Sequence, residues 1–189
     1  MILPIYAIGQ PVLKKVAKDI TPDYPALQEL IANMWETMYT ADGVGLAAPQ
    51  VGLDIRLFVV DTKKPPEKRK EDEPDTGIKK IFINARMVEE SGPEWTFEEG
   101  CLSIPDIKGD VDRQERIRIR FLDENFEEHI EDFDGVSARV IQHEYDHIEG
   151  ILFTELLKPV KKQLIKRKLD KIKKGEIKVD YKMKFAKRK

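Results

Sequence analysis

A single cysteine, Cys101, in 189 residues excludes an internal disulfide framework and fits a reducing compartment. Histidine is almost as scarce, with three copies, so chemistry built on imidazole must draw on His129, His143 or His147. No stretch approaches the roughly 18–20 apolar residues of a membrane span, and residues 1–10 lack a basic region followed by a long apolar run. The expectation is a cytoplasmic protein with no membrane partner. Internal repeats are also absent. What is present, 41% hydrophobic and 36% charged residues, suits one soluble globular domain with a sizeable core, not a fibre or a coiled coil.

A formal net charge of −2 conceals a split. Residues 158–189 hold 15 Lys and Arg against three acidic residues, a local excess of +12 that leaves −14 on residues 1–157. An acidic body with a basic helix or tail is expected, and such a tail faces either solvent or nucleic acid.

Leu27, Leu30, Ile31, Met34, Trp35 and Met38 recur at spacings of three and four, predicting a helix over 25–40 with one core-facing stripe. Residues 55–61 and 78–84 read as apolar, β-branched strands. Between them, 62–77 is rich in proline and charge and reads as a surface insertion. Arg116 to Phe121 alternates strictly, as a half-buried strand does, which puts its arginines on a solvated sheet face. A turn at 123–125, a returning strand over 126–133 and a turn at Asp134-Gly135 lead to a helix over 137–149, ended by Gly150. A third helix is expected over 159–174, with a thin apolar edge of Leu164, Ile165, Leu169 and Ile172.

Chemistry concentrates in three segments. His143-Glu144-Tyr145-Asp146-His147 has the HExxH form: residues i and i+4 share a helix face, so two imidazoles can reach one metal ion, with Glu144 about 100° round the helix beside its water. A catalytic ion needs a third protein ligand and an open position. Cys101 is the strongest candidate. A lone cysteine is usually a small buried hydrophobe, but within Glu99-Gly100-Cys101-Leu102-Ser103 the glycine permits close backbone approach and Leu102 offers an N–H next to the thiolate. His129, among glutamates in a polar strand, is the competitor, and a site using it as well would be closed and structural. Gly43-Val44-Gly45-Leu46-Ala47-Ala48-Pro49-Gln50 offers backbone to an extended peptide and the Gln50 amide to an oxygen.

Together, in this order and spacing, the three segments resemble peptide deformylase, with a likeness running over about residues 4–157. The resemblance implies an α+β fold in which antiparallel and mixed sheets surround a central helix carrying the HExxH histidines, with 1–157 as the single catalytic domain. It implies Cys101, His143 and His147 as ligands of one divalent metal ion, Fe2+ with Zn2+ or Ni2+ able to replace it, and Glu144 as general acid/base. Gln50 and the Leu102 N–H would hold the oxyanion, and backbone at Val44, Gly45 and Gly100 would pair with the peptide. Val136 and Val140, near the same helix face, would enclose a methionine side chain. Glu99 and Arg113 look like the family's buried ion pair, whereas Lys108 departs from the arginine that many members carry. The implied reaction removes the N-formyl group from the initiator methionine of nascent chains and releases formate, with the basic tail as a ribosome-docking element. Two other classes share part of the pattern: a metalloprotease-like peptidase, although no histidine follows His147, and a catalytically inactive metal-stabilised binding module, which has no use for Glu144.

Overall fold

The computed structural model describes residues 1–63 and 77–186, so most of the expected insertion at 62–77 lies outside the described residues. In chain order the elements are β1 (Ile5–Tyr6), α1 (Leu27–Thr40), β2 (Gly45–Ala47), β3 (Leu57–Asp61), β4 (Lys79–Cys101), β5 (Ile104–Leu122), β6 (Glu128–Asp134), α2 (Gly135–Ile148), α3 (Pro159–Lys173) and β7 (Met183–Lys184). The fold is α+β. Strands β2 to β6 form one antiparallel sheet in the order β2-β3-β4-β5-β6, and β1 pairs in parallel with β7.

The apolar run of β3 has its reason in burial on both faces. Leu57 and Val59 join Ile31, Met34 and Met38 of α1 in one cluster. Phe58 and Val60 point the other way and join Ala138, Ile141 and Ile148 of α2 in another. With period-two alternation, one strand thus separates the two helices. Phe82 anchors the α2 side, with ring centroids 4.7 Å from Phe58 and 4.5 Å from Phe121. A third cluster gathers Ile104, Ile107, Phe153, Ile165 and Ile172.

The expected strand at 78–84 is the start of the 23-residue β4. Its continuation lacked a legible alternation because the β4–β5 ladder shifts register between Ile83/Arg86, Met87/Glu89, Ser91/Glu94 and Gly100/Cys101; each such irregularity disrupts the two-residue period. Strand β5 keeps its pattern, with Ile117, Ile119 and Phe121 buried and Arg118 paired with Asp132 across the solvated face at 2.7 and 3.0 Å. Phe126 falls in a turn with φ of 61°, where Asp123 Oδ1 accepts the N–H groups of Asn125 and Glu127, so the returning strand starts at Glu128. Helix α2 starts at Gly135, because that residue, with φ of 54°, makes the bend from β6 by itself. At the other end Gly150 has φ of 72°, and a Cβ there would stand 2.8 Å from the Lys14 carbonyl carbon. Helix α3 buries Ile165 and Ile172 but leaves Leu164 exposed. Among the described residues no helix is long and apolar enough to cross a membrane.

Candidate metal centre and its cavity

Helix α2 carries His143, Glu144 and His147. The histidine rings, one turn apart, have centroids 5.1 Å from each other at 77°. Facing them is the tip of the β4–β5 hairpin, where the register shift after Gly100 turns Cys101 towards α2. Cys101 Sγ lies 3.3 Å from His147 Nε2, and one donor atom each from Cys101, His143 and His147 fall within 4.8 Å of one another. His129 is elsewhere, on β6, with Nε2 2.9 Å from Asp123 Oδ2.

Glu99 braces this arrangement. Its carboxylate accepts Arg113 Nε at 2.7 Å and Nη2 at 3.1 Å, Arg139 Nη1 at 3.0 Å, and His143 Nδ1 at 2.9 Å. Burial alone would raise this carboxyl, yet the hydrogen bonds from His143 and Arg113 hold it at about 2. With Nδ1 donating, His143 keeps its lone pair on Nε2, the tautomer a ligand needs. Burial lowers the His143 pKa, but Cys101 and Glu99 more than offset it and raise the group well above its usual value, whereas burial and the neighbouring His143 push His147 well below. One thiolate and two imidazoles are a borderline-soft donor set that fits a divalent transition metal.

Glu144 is 4% exposed, and its Oε2 has no hydrogen-bond partner among the described residues. Burial raises its carboxyl to about 7. Gln50, in a short 3-10 turn after β2, accepts the Ala47 N–H on Oε1 and aims Nε2 at Ser103 Oγ (3.3 Å) and Cys101 Sγ (3.5 Å). Gly45 lies against Glu144: a Cβ there would sit 2.4 Å from Oε1. Gly45→Ala should therefore displace the carboxylate and, with Glu144 as the general acid/base that the sequence leads one to expect, lower kcat about 10²-fold, since misplacement of about 1 Å has that cost. Metal content should hold, because the three candidate ligands are untouched. Activity within a few fold of wild type would mean that Glu144 is not confined by Gly45.

A cavity of about 510 Å³ opens over these groups. Val44, Gly45, Gln50, Gly100, Leu102 and Val140 line it. Val136 does not, and is 51% exposed, because it lies nearly two turns back along α2 from His143. The lining residues without a sequence signal include Phe97, Arg139 and Tyr181. Arg139 is 1% exposed, with its guanidinium carbon 4.7 Å from the Trp95 ring centroid.

Three side chains that could hold one metal ion, beside a buried carboxylate with an unpartnered oxygen, have the make-up of a mononuclear metal-dependent hydrolase. Residues 2–163 match the family model for polypeptide deformylase. Among curated relatives, the peptide deformylase of Christiangramia forsetii is 58% identical over 98% of this chain and 96% of its own length, and that of Flavobacterium psychrophilum is 55% identical over the whole of both. The crystal structure of a peptide deformylase from Legionella pneumophila superposes with a TM-score of 0.79 at 38% identity, covering 93% of this chain and 98% of that one. The chain belongs to the peptide deformylase family, metal-dependent enzymes that remove N-formyl groups from nascent peptides. Neither the peptidase nor the inactive binding module finds support in these matches.

Proposed function

We propose that Cys101, His143 and His147 hold one divalent ion, that Glu144 moves the reaction's proton, and that Gln50 and the Leu102 N–H receive the charge that develops on the formyl oxygen. The observation that carries this reading is the convergence of three donor atoms within 4.8 Å beside a carboxylate with an unpartnered oxygen. In it, α2 is the central helix of the domain and residues 1–157 carry the catalysis.

The ion, when bound, supplies Lewis acidity and lowers the pKa of a water towards neutrality. Glu144 takes the proton as the water oxygen bonds to the formyl carbon, then delivers it to the amine nitrogen as the C–N bond breaks, leaving formate and a free amino terminus. Gln50 Nε2 and the Leu102 N–H donate to the formyl oxygen as its charge grows. Backbone at Val44, Gly45 and Gly100 pairs with the extended peptide, a role supported by the position of β2 at the sheet edge. Val140, on the cavity wall, borders the space for the methionine side chain.

The donor set suits Zn2+ and also accepts Fe2+ and Ni2+; the family resemblance is what favours Fe2+ as the working ion. Anaerobically prepared protein should contain one such ion per chain and release formate from formyl-Met peptides while leaving internal peptide bonds intact. Metal-replete protein without turnover would refute the reading.

The enzyme is assigned to the cytoplasm, where nascent chains emerge, with ribosome contact through the basic face of α3. Lys162, Lys166, Arg167 and Lys168 are exposed there. Phosphate contacts release counterions, so binding should weaken steeply with salt. Reversing Lys166, Arg167 and Lys168 to Glu should abolish low-salt cosedimentation with ribosomes and spare hydrolysis of short formyl peptides. Undiminished cosedimentation would exclude α3 as the contact.

A further inference from the structure

The chain beyond α3 returns to the metal centre. Gly175, with φ of 70°, reverses its direction, and Ile177, Met183 and Phe185 pack on the third core cluster. Strand β7 is stitched to the N-terminal segment: Ile5 N–H donates to Lys182 O at 2.8 Å and Ala7 N–H to Lys184 O at 3.0 Å. Just before β7, Tyr181 enters the cavity wall, and its hydroxyl donates to the Leu102 carbonyl at 2.7 Å.

Leu102 and Ser103 are the two turn residues between Cys101 and Ile104. In such a turn the peptide between the central residues can flip, and the dihedral angles on either side change with it. Three groups from distant parts of the chain hold the turn. Ile8 N–H donates to Ser103 O at 2.9 Å, Gln50 Nε2 reaches Ser103 Oγ at 3.3 Å, and Tyr181 pins the carbonyl of the central peptide.

We propose that Tyr181 is a positioning residue for deformylation: by anchoring the Leu102 carbonyl it blocks the flip of the Leu102–Ser103 peptide and tethers Leu102 at its carbonyl end, and so holds in place the Leu102 N–H, which lies on the preceding Cys101–Leu102 peptide, towards the formyl oxygen. The proposal rests on the reading of that N–H as an oxyanion donor. The C-terminal segment, basic in composition, thereby contributes to the active site through a neutral phenol.

Tyr181→Phe keeps the ring and removes only the donor. In the full-length, metal-loaded protein kcat should fall about three- to tenfold, the scale of one hydrogen bond, with KM within about twofold and metal content unchanged. Hydrogen exchange at residues 101–104, which needs no turnover, should accelerate at least about threefold as the turn loosens. Unchanged kcat, a change confined to KM, or a fall in kcat without faster exchange at the turn would each overturn the proposal. Formate release by wild type tests deformylation itself; in Tyr181→Phe, unchanged kcat with faster exchange at the turn places the failure in the reading of the Leu102 N–H, whereas unchanged kcat with unchanged exchange refutes the role of Tyr181 alone.

Discussion

Glu144→Gln should lower kcat by about 10² to 10⁴, the usual contribution of a positioned acid/base, while the ion stays bound. The amide has nearly the volume of the carboxyl and reaches the same space beside Gly45, but it cannot take a proton from water or return one to the amine. Loss of folding does not compete as an explanation. The folded-state pKa of about 7 lies above the ordinary value of 4.5, with burial as the main cause. The fold therefore favours the protonated form, and the ionised carboxylate costs stability as pH rises through 7. After chelation, at pH 8, the Gln variant should melt no lower than wild type. Steady-state kinetics, metal analysis and a melting curve on one preparation check all three statements. Retained activity would remove Glu144 from the mechanism.

Glu99→Gln should cost about 3–5 kcal/mol of stability, because it breaks a buried ion pair and leaves its partners uncompensated. The carboxylate serves Arg113, Arg139 and His143 together, and an amide can accept only on its single oxygen. Arg113 would keep Asp146, at 2.8 Å, so the larger part of the damage should fall on Arg139 and His143. The loss corresponds to a drop in Tm of at least about 6 °C for a chain of this size. Metal affinity should fall about 10- to 100-fold as well, since the orientation and tautomer of His143 depend on this acceptor. In wild type the Glu99 carboxyl is lowered from 4.5 to about 2. Its stabilisation is complete above pH 4.5 and is lost as pH falls towards 2, so the deficit of the variant should narrow over that window. A variant with wild-type Tm and metal affinity would mean that the cluster does not brace the site.

Local pattern made part of this protein legible. The i and i+4 spacing of His143 and His147 is set within one helical turn, the stripe of α1 within four turns, and the alternation of β5 within its own strand. Gly150 could be read as a helix end because its left-handed backbone is a property of that residue and its neighbours. Cys101 was legible as a candidate through scarcity and its glycine, but its distance to His147, 46 residues on, was not. That approach depends on the register shift at Gly100 and on the packing of α2 against the opposite face of the sheet from α1. The same holds for the Glu99 cluster with Arg139, for Val136, left outside the cavity while Val140 lines it, and for Tyr181, 79 residues from Leu102. Periodicity encodes which face of an element is buried, because backbone geometry repeats along the chain. It does not encode what that face meets, since that is decided when sheet register and core packing bring distant segments together.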